Sequence, residues 1–335
     1  MLSRALNSKP RRSFHGVEKE DSCRSAASIL SEYGGFMVGF MDDLPLISCG
    51  GSDHKGGWAE SQHLTLRQVL RSSVAVVGES RLGFTEKVVL PDGRMCALKR
   101  FRKVSLRRGE FGRRIVRVGL ASSMSDYLVP VTAYFYSKRI KFAVSDYYPM
   151  GSLADLLASA REQNQTALTW NQRLEIILSV ARAVEFIHSR NSLQETKHLK
   201  LNVHGNVKAS NVMINIDFTA RLSDYGFIQL AERVEVGDAW QRKPQPNFEH
   251  GEVFCQESDV YNFGIIILDL LQGPNKDYTN DRDGGHVDFE FCVQGKERDQ
   301  ALQVLEIGLA CTNKSTGARP TIQEIILCLG DEVFM

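Results

Sequence analysis

The hydrophobic texture of this chain changes once, and that change restricts the fold more than any other feature. From Val74 onward, apolar residues come in short strand-like stretches: V-A-V-V-G, then E-K-V-V-L, then M-C-A-L-K ending at Lys99. Pro91-Asp92-Gly93 separates the last two. It reads as a hairpin turn, with proline presetting φ and glycine accepting φ > 0. Further strands are predicted near 128–136 and 141–146, joined at Lys138-Arg139. Helices in this half are predicted over 64–70 and roughly 107–119. Beyond Gly151 the period shifts. Leu153, Leu156 and Leu157 open a helix, and Leu174, Ile177, Leu178, Ala181, Val184 and Ile187 recur three and four residues apart. Helices also fit 258–271, 301–310 and 321–329. Strands first and helices afterwards predict an α+β protein, with a small antiparallel sheet lobe carrying a helix and a larger, mainly helical lobe. The expected division is a segment at 1–60, a first lobe at 61–145 and a second at 146–335.

Composition narrows the class. With 335 residues, 43% of them apolar, the chain can bury a sizeable core, which excludes collagen-like, coiled-coil and wholly disordered readings. Lys and Arg total 41 against 40 acidic residues, so no global charge calls for nucleic acid as a partner. The seven cysteines form no C-x-x-C pair, which suits scattered thiols in a reducing compartment rather than a disulfide framework or a zinc site. No stretch approaches the ~20 apolar residues of a membrane span. These features predict a cytoplasmic protein. Residues 1–60 are rich in Ser, Gly and Arg. They are expected to be disordered, and within them the basic stretch 1–17 reads as a tail rather than a targeting peptide, because it lacks a clear amphipathic face.

Gly78-Glu79-Ser80-Arg81-Leu82-Gly83 is a degraded glycine-rich loop with Ser80 at the middle glycine position, and alone it reads as a plain hairpin. The ordered set it belongs to is more specific. Cys96-Ala97-Leu98-Lys99 ends a strand, like V-A-I-K. Then come Val203-His204-Gly205-Asn206, Lys208, Asn211, Ser223-Asp224-Tyr225-Gly226, Lys243-Pro244-Gln245, Ser258-Asp259-Val260-Tyr261-Asn262-Phe263-Gly264 and Arg319-Pro320. In this order and spacing the sequence resembles the eukaryotic protein kinase domain. It is most similar to the kinase domain of plant leucine-rich-repeat receptor-like kinases. H-G-N-V-K-A-S-N-V at 204–212, V-S-D-Y-Y-P-M-G-S-L-A-D-L-L at 144–157 and the lead-in L-T-L-R-Q-V-L-R-S-S at 64–73 carry that likeness. It covers roughly 64–331.

The resemblance implies a role for each matching position. Lys99 would hold the α- and β-phosphates of ATP and pair with a helix glutamate. Counting from Phe111, that glutamate position is Arg114. Two like charges ~4 Å apart repel by roughly 4 kcal/mol at an effective dielectric near 20. Arg114 is therefore expected to point to solvent, or its helix to swing out. Asn206 stands at the catalytic-base position, and an amide cannot accept a proton; the expected loss is about 10²–10⁴-fold. Gly205 replaces the arginine that clamps a phosphorylated activation loop. Consistently, 226–256 contains no Ser, Thr or Tyr. Gln245 replaces a glutamate whose partner would be Arg319.

Other positions are retained. Asp224 and Asn211 would chelate Mg²⁺, and Lys208 would neutralise the γ-phosphate. Gly78, Gly83, Thr85, Ala97 and the hinge residues Asp146 and Tyr147 would frame the nucleotide, behind a small gatekeeper, Ser145. His204 and Tyr225 read as core residues stacked on each other, His188 as a satisfied core histidine, and Asp259 as a cap on catalytic-loop amides. The resemblance thus implies a pseudokinase with residual binding of ATP and Mg²⁺, acting as an interaction module on protein partners such as active receptor-like kinases. The alternative is a weakly active atypical serine/threonine kinase.

Lys99, Arg100, Arg102, Lys103, Arg107, Arg108, Arg113, Arg114 and Arg117 crowd 99–117, with Glu110 as the one acidic residue in that stretch. A solvated basic face is the plain reading. The sharper one is a docking patch for an acidic or phosphorylated partner, or for an anionic membrane at the inner face of the plasma membrane.

Overall fold

The computed structural model describes residues 44–50, 64–190, 199–231, 254–273 and 289–333. A six-stranded antiparallel sheet forms the first part of the fold. Its strands are β1 (Ile47–Ser48), β2 (Ser73–Ser80), β3 (Gly83–Val89), β4 (Met95–Phe101), β5 (Val131–Tyr136) and β6 (Lys141–Asp146), in the spatial order β1-β5-β6-β4-β3-β2. The predicted Pro91-Asp92-Gly93 turn joins β3 to β4. Gly93 takes φ 83°, and Asp92 Oδ1 accepts the Arg94 amide at 3.0 Å.

The pleat of β4 gives the sheet two interiors. Cys96 and Leu98 face one side, where α1 (Leu66–Arg71) lays Leu66 and Val69 over Val88, Phe135 and Phe142. Each such side chain contributes about 1.5–3 kcal/mol on burial. The N-terminus of α1 is fixed by a reciprocal pair: the Thr65 hydroxyl accepts the Gln68 amide, and the Gln68 side chain accepts the Thr65 amide. Phe101 faces the other side and meets Phe111 of α2 (Arg108–Ser122) edge-on, with ring centroids 5.7 Å apart.

The second part is mainly helical: α3 (Leu153–Glu162), α4 (Trp170–His188), α5 (Phe227–Ala231), α6 (Gln256–Gln272), α7 (Lys296–Cys311) and α8 (Ile322–Val333). A two-stranded ribbon, β7 (Val212–Ile214) with β8 (Ala220–Leu222), packs near α4. The apolar stripe read from Leu174 to Ile187 is buried along α4. Among the described residues, no helix is long and apolar enough to cross a membrane.

Two expectations are corrected. Residues 44–50 fall in the segment expected to be disordered, yet Ile47 and Ser48 pair with Tyr134 and Ala133 of β5, and Cys49 is buried. They cover backbone groups that β5 would otherwise expose as an edge. Burial pushes the Cys49 thiol up to about 12. The rest of 1–60 lies outside the described residues. The strand expected from 128 starts at Val131, because Pro130 has no N–H to give a ladder. Leu128 instead bridges Leu222 of β8.

Candidate functional site

Between the sheet and the helices lies a cleft, and most of the predicted residues line it. From above come Gly78 and Ser80 of β2, Thr85 of β3, and Ala97 and Lys99 of β4; Asp146 and Tyr147 follow at the end of β6; Lys208, Asn211 and Asp224 close it from below. Gly83 is not on the cleft wall. Its φ is 153°, and a Cβ there would fall 1.7 Å from the Arg100 carbonyl oxygen, so glycine is required by the close approach of β4. The β2–β3 loop is a tight two-residue hairpin in which the Ser80 hydroxyl donates to the Gly83 carbonyl at 3.2 Å. Leu82 at its tip is buried in the core. Glu79, which sequence reasoning passed over, puts a carboxylate on the cleft and pairs with Arg102.

The electrostatic centre is one contact. Lys99 Nζ reaches Asp224 Oδ2 at 2.8 Å, with both side chains about nine-tenths buried. Asp224 takes φ 62°, a left-handed conformation uncommon for a non-glycine residue. It follows Ser223, whose amide and hydroxyl both donate to the Asn211 carbonyl, at 2.7 and 2.9 Å. Asn211 Nδ2 donates to the Asn206 carbonyl at 2.8 Å. Asn206 is not on the cleft wall, but its backbone is tied to the residues that are.

Arg114 corrects the expectation made for it. It neither points to solvent nor confronts Lys99. It is 5% exposed on a helix that stays packed through Phe111, Ile115 and Val118. Its Nε donates to Glu110 Oε1 at 2.6 Å, one turn earlier, and Nη1 donates to the Gln229 carbonyl of α5 at 2.8 Å. Hydrogen bonds from Arg114 and Arg113 pull the Glu110 carboxyl below the ordinary carboxylate range. The four-residue spacing of Glu110 and Arg114 is a helix pairing signal that the sequence carries. Gln229 has no such signal. Its buried side chain bonds both backbone groups of Lys200, through Oε1 at 2.8 Å and Nε2 at 2.7 Å.

The basic stretch is also redistributed. Lys99, Arg100 and Arg114 are buried, and Arg100 Nε meets Glu86 Oε2 at 2.8 Å. Acidic partners from other elements, Glu86, Glu79 and Asp224, oppose charges that along the stretch faced Glu110 alone.

Below the cleft, Asp259 of α6 caps the loop as expected: it accepts the His204 amide at 2.7 Å and the Gly205 amide at 2.8 Å. His188 Nε2 lies 3.1 Å from the same carboxylate. His204 is fully buried, and desolvation holds its pKa below the usual value. The neutral ring fits its contacts, with Nε2 facing the Ser223 carbonyl at 3.0 Å and Nδ1 accepting the Asn206 amide at 3.1 Å. His204 and Tyr225 are tilted by 45° with centroids 6.0 Å apart, so they adjoin rather than stack. Gly205 takes φ 73°, and Phe254 fills the space a side chain there would need. Gln245 lies outside the described residues; Arg319 donates to the Asn313 and Glu257 carbonyls, each at 2.9 Å, and lies over the Tyr261 ring. No cluster of three or more His, Cys, Asp or Glu suited to a metal occurs among the described residues.

Comparison with known proteins fits this geometry. The family model for protein tyrosine and serine/threonine kinases matches residues 118–329. A probable inactive receptor kinase of Arabidopsis thaliana is 30% identical over 290 residues, covering 79% of this chain and 43% of the relative. Pollen receptor-like kinase 3 of the same plant is 28% identical over 341 residues, covering 96% of this chain and 50% of the relative. The chain thus spans half or less of these relatives' length. Among solved structures, the pseudokinase domain of BIR2, an immune regulator of the RLK/Pelle family, aligns with a TM-score of 0.66 at 20% identity, over 88% of this chain and 91% of that one. The kinase domain of maize SIRK1 bound to AMP-PNP aligns with a TM-score of 0.64 at 24% identity, over 82% and 98%.

Proposed function

Because the chain belongs to the protein tyrosine and serine/threonine kinase family, and within it is related to plant receptor-like kinases, we propose that it is a pseudokinase: a module that binds nucleotide weakly and transmits signals through protein contacts. The observation that carries this reading is the Lys99–Asp224 ion pair, formed where Arg114 replaces the helix carboxylate. Lys99 is then held by the carboxylate that would serve the metal, and not by a residue that would leave that carboxylate open. Asn206 adds the second loss, since its amide cannot take a hydroxyl proton.

The cleft residues fit ATP with Mg²⁺. Asp224 and Asn211 offer hard oxygen donors of the kind magnesium takes, while Lys99 and Lys208 bring positive charge for phosphates. When bound, the metal would neutralise phosphate charge; Lys99 would exchange Asp224 for phosphate oxygens, and Gly78, Thr85 and Ala97 would cover the base. Glu79 works against phosphate at the same wall. The expected partners are proteins of phosphorylation signalling, such as active receptor-like kinases, at the cytoplasmic face of a membrane.

Two measurements on the full chain test this. Thermal shift against Mg·ATP should rise saturably, and the rise should vanish in Lys99→Met. Transfer of labelled γ-phosphate to a generic protein substrate should not exceed that of a Lys99→Met/Asp224→Asn control. Transfer above the control would establish the rival reading, a weak serine/threonine kinase, which the shared cleft placement of Asp224, Asn211 and Lys208 favours. No shift at millimolar nucleotide would remove ATP from the proposal.

A further inference from the structure

A second concavity lies away from the cleft, along the exposed side of α2. It is a groove of about 660 Å³ lined by Arg108, Arg113, Arg114 and Arg117, with Gly109 and Gly112 between them and Tyr134 of β5 beneath. Glu110 is the one carboxylate among the described residues that line it, and it is shared between Arg113 and Arg114. Among the described residues, Arg108 and Arg113 are exposed guanidinium groups of this lining, while Arg114 is buried and spent on Glu110 and the Gln229 carbonyl.

Tyr134 gives the groove a floor. The residue is 7% exposed, its ring tilted against Phe111, and its hydroxyl has no hydrogen-bond partner among the described residues. Gly112 makes room for it: a Cβ there would lie 2.7 Å from the hydroxyl oxygen. The phenol is a donor at neutral pH, as any tyrosine is, and burial pushes its pKa further up. The N-terminus of α2 adds positive potential at the mouth, because Arg107 at the cap supplies no side-chain acceptor.

We propose that this groove is a docking site for a phosphorylated segment of a partner protein. A phosphate brings close to two negative charges and three accepting oxygens, which matches the exposed forks of Arg108 and Arg113 plus a phenolic donor better than one carboxylate would. The site is concave, and the Tyr134 hydroxyl lies at its floor. A protruding phosphorylated side chain reaches that donor; a flat lipid surface does not.

The test uses the full chain and a fluorescein-labelled Gly/Ala nonapeptide with a central phosphoserine, followed by fluorescence anisotropy. The phosphopeptide should bind at least tenfold more tightly than its unphosphorylated form and than a version with Glu in place of phosphoserine. Arg108→Glu/Arg113→Glu should weaken it at least tenfold with an unchanged melting temperature, since both residues are exposed. Tyr134→Phe should weaken it about threefold. Excess Mg·ATP should not displace it. Equal binding of the three peptides, indifference to the charge reversal, or displacement by Mg·ATP would each overturn the proposal. So would binding to phosphatidylserine vesicles that depends on the same arginines while the phosphopeptide does not bind.

Discussion

Arg114 shows how one side chain sets the state of a site it does not touch. Its guanidinium has two oxygen partners: Glu110 braces it one turn earlier on α2, and the Gln229 carbonyl ties α2 to α5. A glutamate at the same position would face Glu110 one turn away and leave the Gln229 carbonyl without its donor. Losing a buried charged partner costs about 3–5 kcal/mol, and leaving an acceptor unmet about 1–3. Glu110 is partly exposed, so solvent screening lowers the first figure. Arg114→Glu should therefore destabilise the chain by about 2–4 kcal/mol in urea unfolding. A loss below about 0.5 kcal/mol would mean that the two contacts do not hold the helix. The substitution that would restore a kinase-like pair with Lys99 is thus opposed by the fold around it.

At the scale of elements, the sheet depends on a helix of six residues. α1 covers the outer face through Leu66 and Val69, both essentially inaccessible to solvent. Leu66→Ala should cost about 2–5 kcal/mol, the range for a buried leucine truncated in a packed core. Amide exchange should speed up first over 64–72 and in β3. Uniform exchange across the chain would show that α1 is not a separable cover. This helix was legible because its apolar spacing is local, as was the hairpin at Asp92-Gly93 and the stripe of α4. The two-residue strand β1 was not, since its only specification is a partner more than 80 residues away, β5. Nor was α5: all five of its residues are buried, so no period distinguishes a face. In the site, the order of motifs identified most of the residues that share the cleft, but it included Gly83 and Asn206, which are off its wall, and missed Glu79. It did not reveal whom they contact. The Lys99–Asp224 contact joins residues 125 apart, and the Glu86–Arg100 pair follows from β3–β4 register, which a motif does not contain.

Across the whole molecule, one carboxylate joins elements that are distant in sequence. Asp259 of α6 is completely buried, holds the amides of His204 and Gly205, and lies against His188 at the end of α4. Those amides belong to the loop whose next residues position Asn211 and, through it, Ser223 and Asp224. The cleft therefore inherits its geometry from α6, well below it. Asp259→Asn keeps the shape but replaces one acceptor with an NH₂ group, which must face an N–H donor. Hydrogen bonds to a charged group contribute about 1.5–3 kcal/mol each, and an unpaired donor adds its own penalty. The expected loss is about 3–5 kcal/mol, seen as an equal drop in urea stability by far-UV circular dichroism and by tryptophan fluorescence. Coincident transitions would follow from one cooperative unit, because the lost contact links α4, α6 and the loop together. If only the fluorescence transition moved, the carboxylate would be tying down a local turn, and the path from α6 to the cleft would not hold.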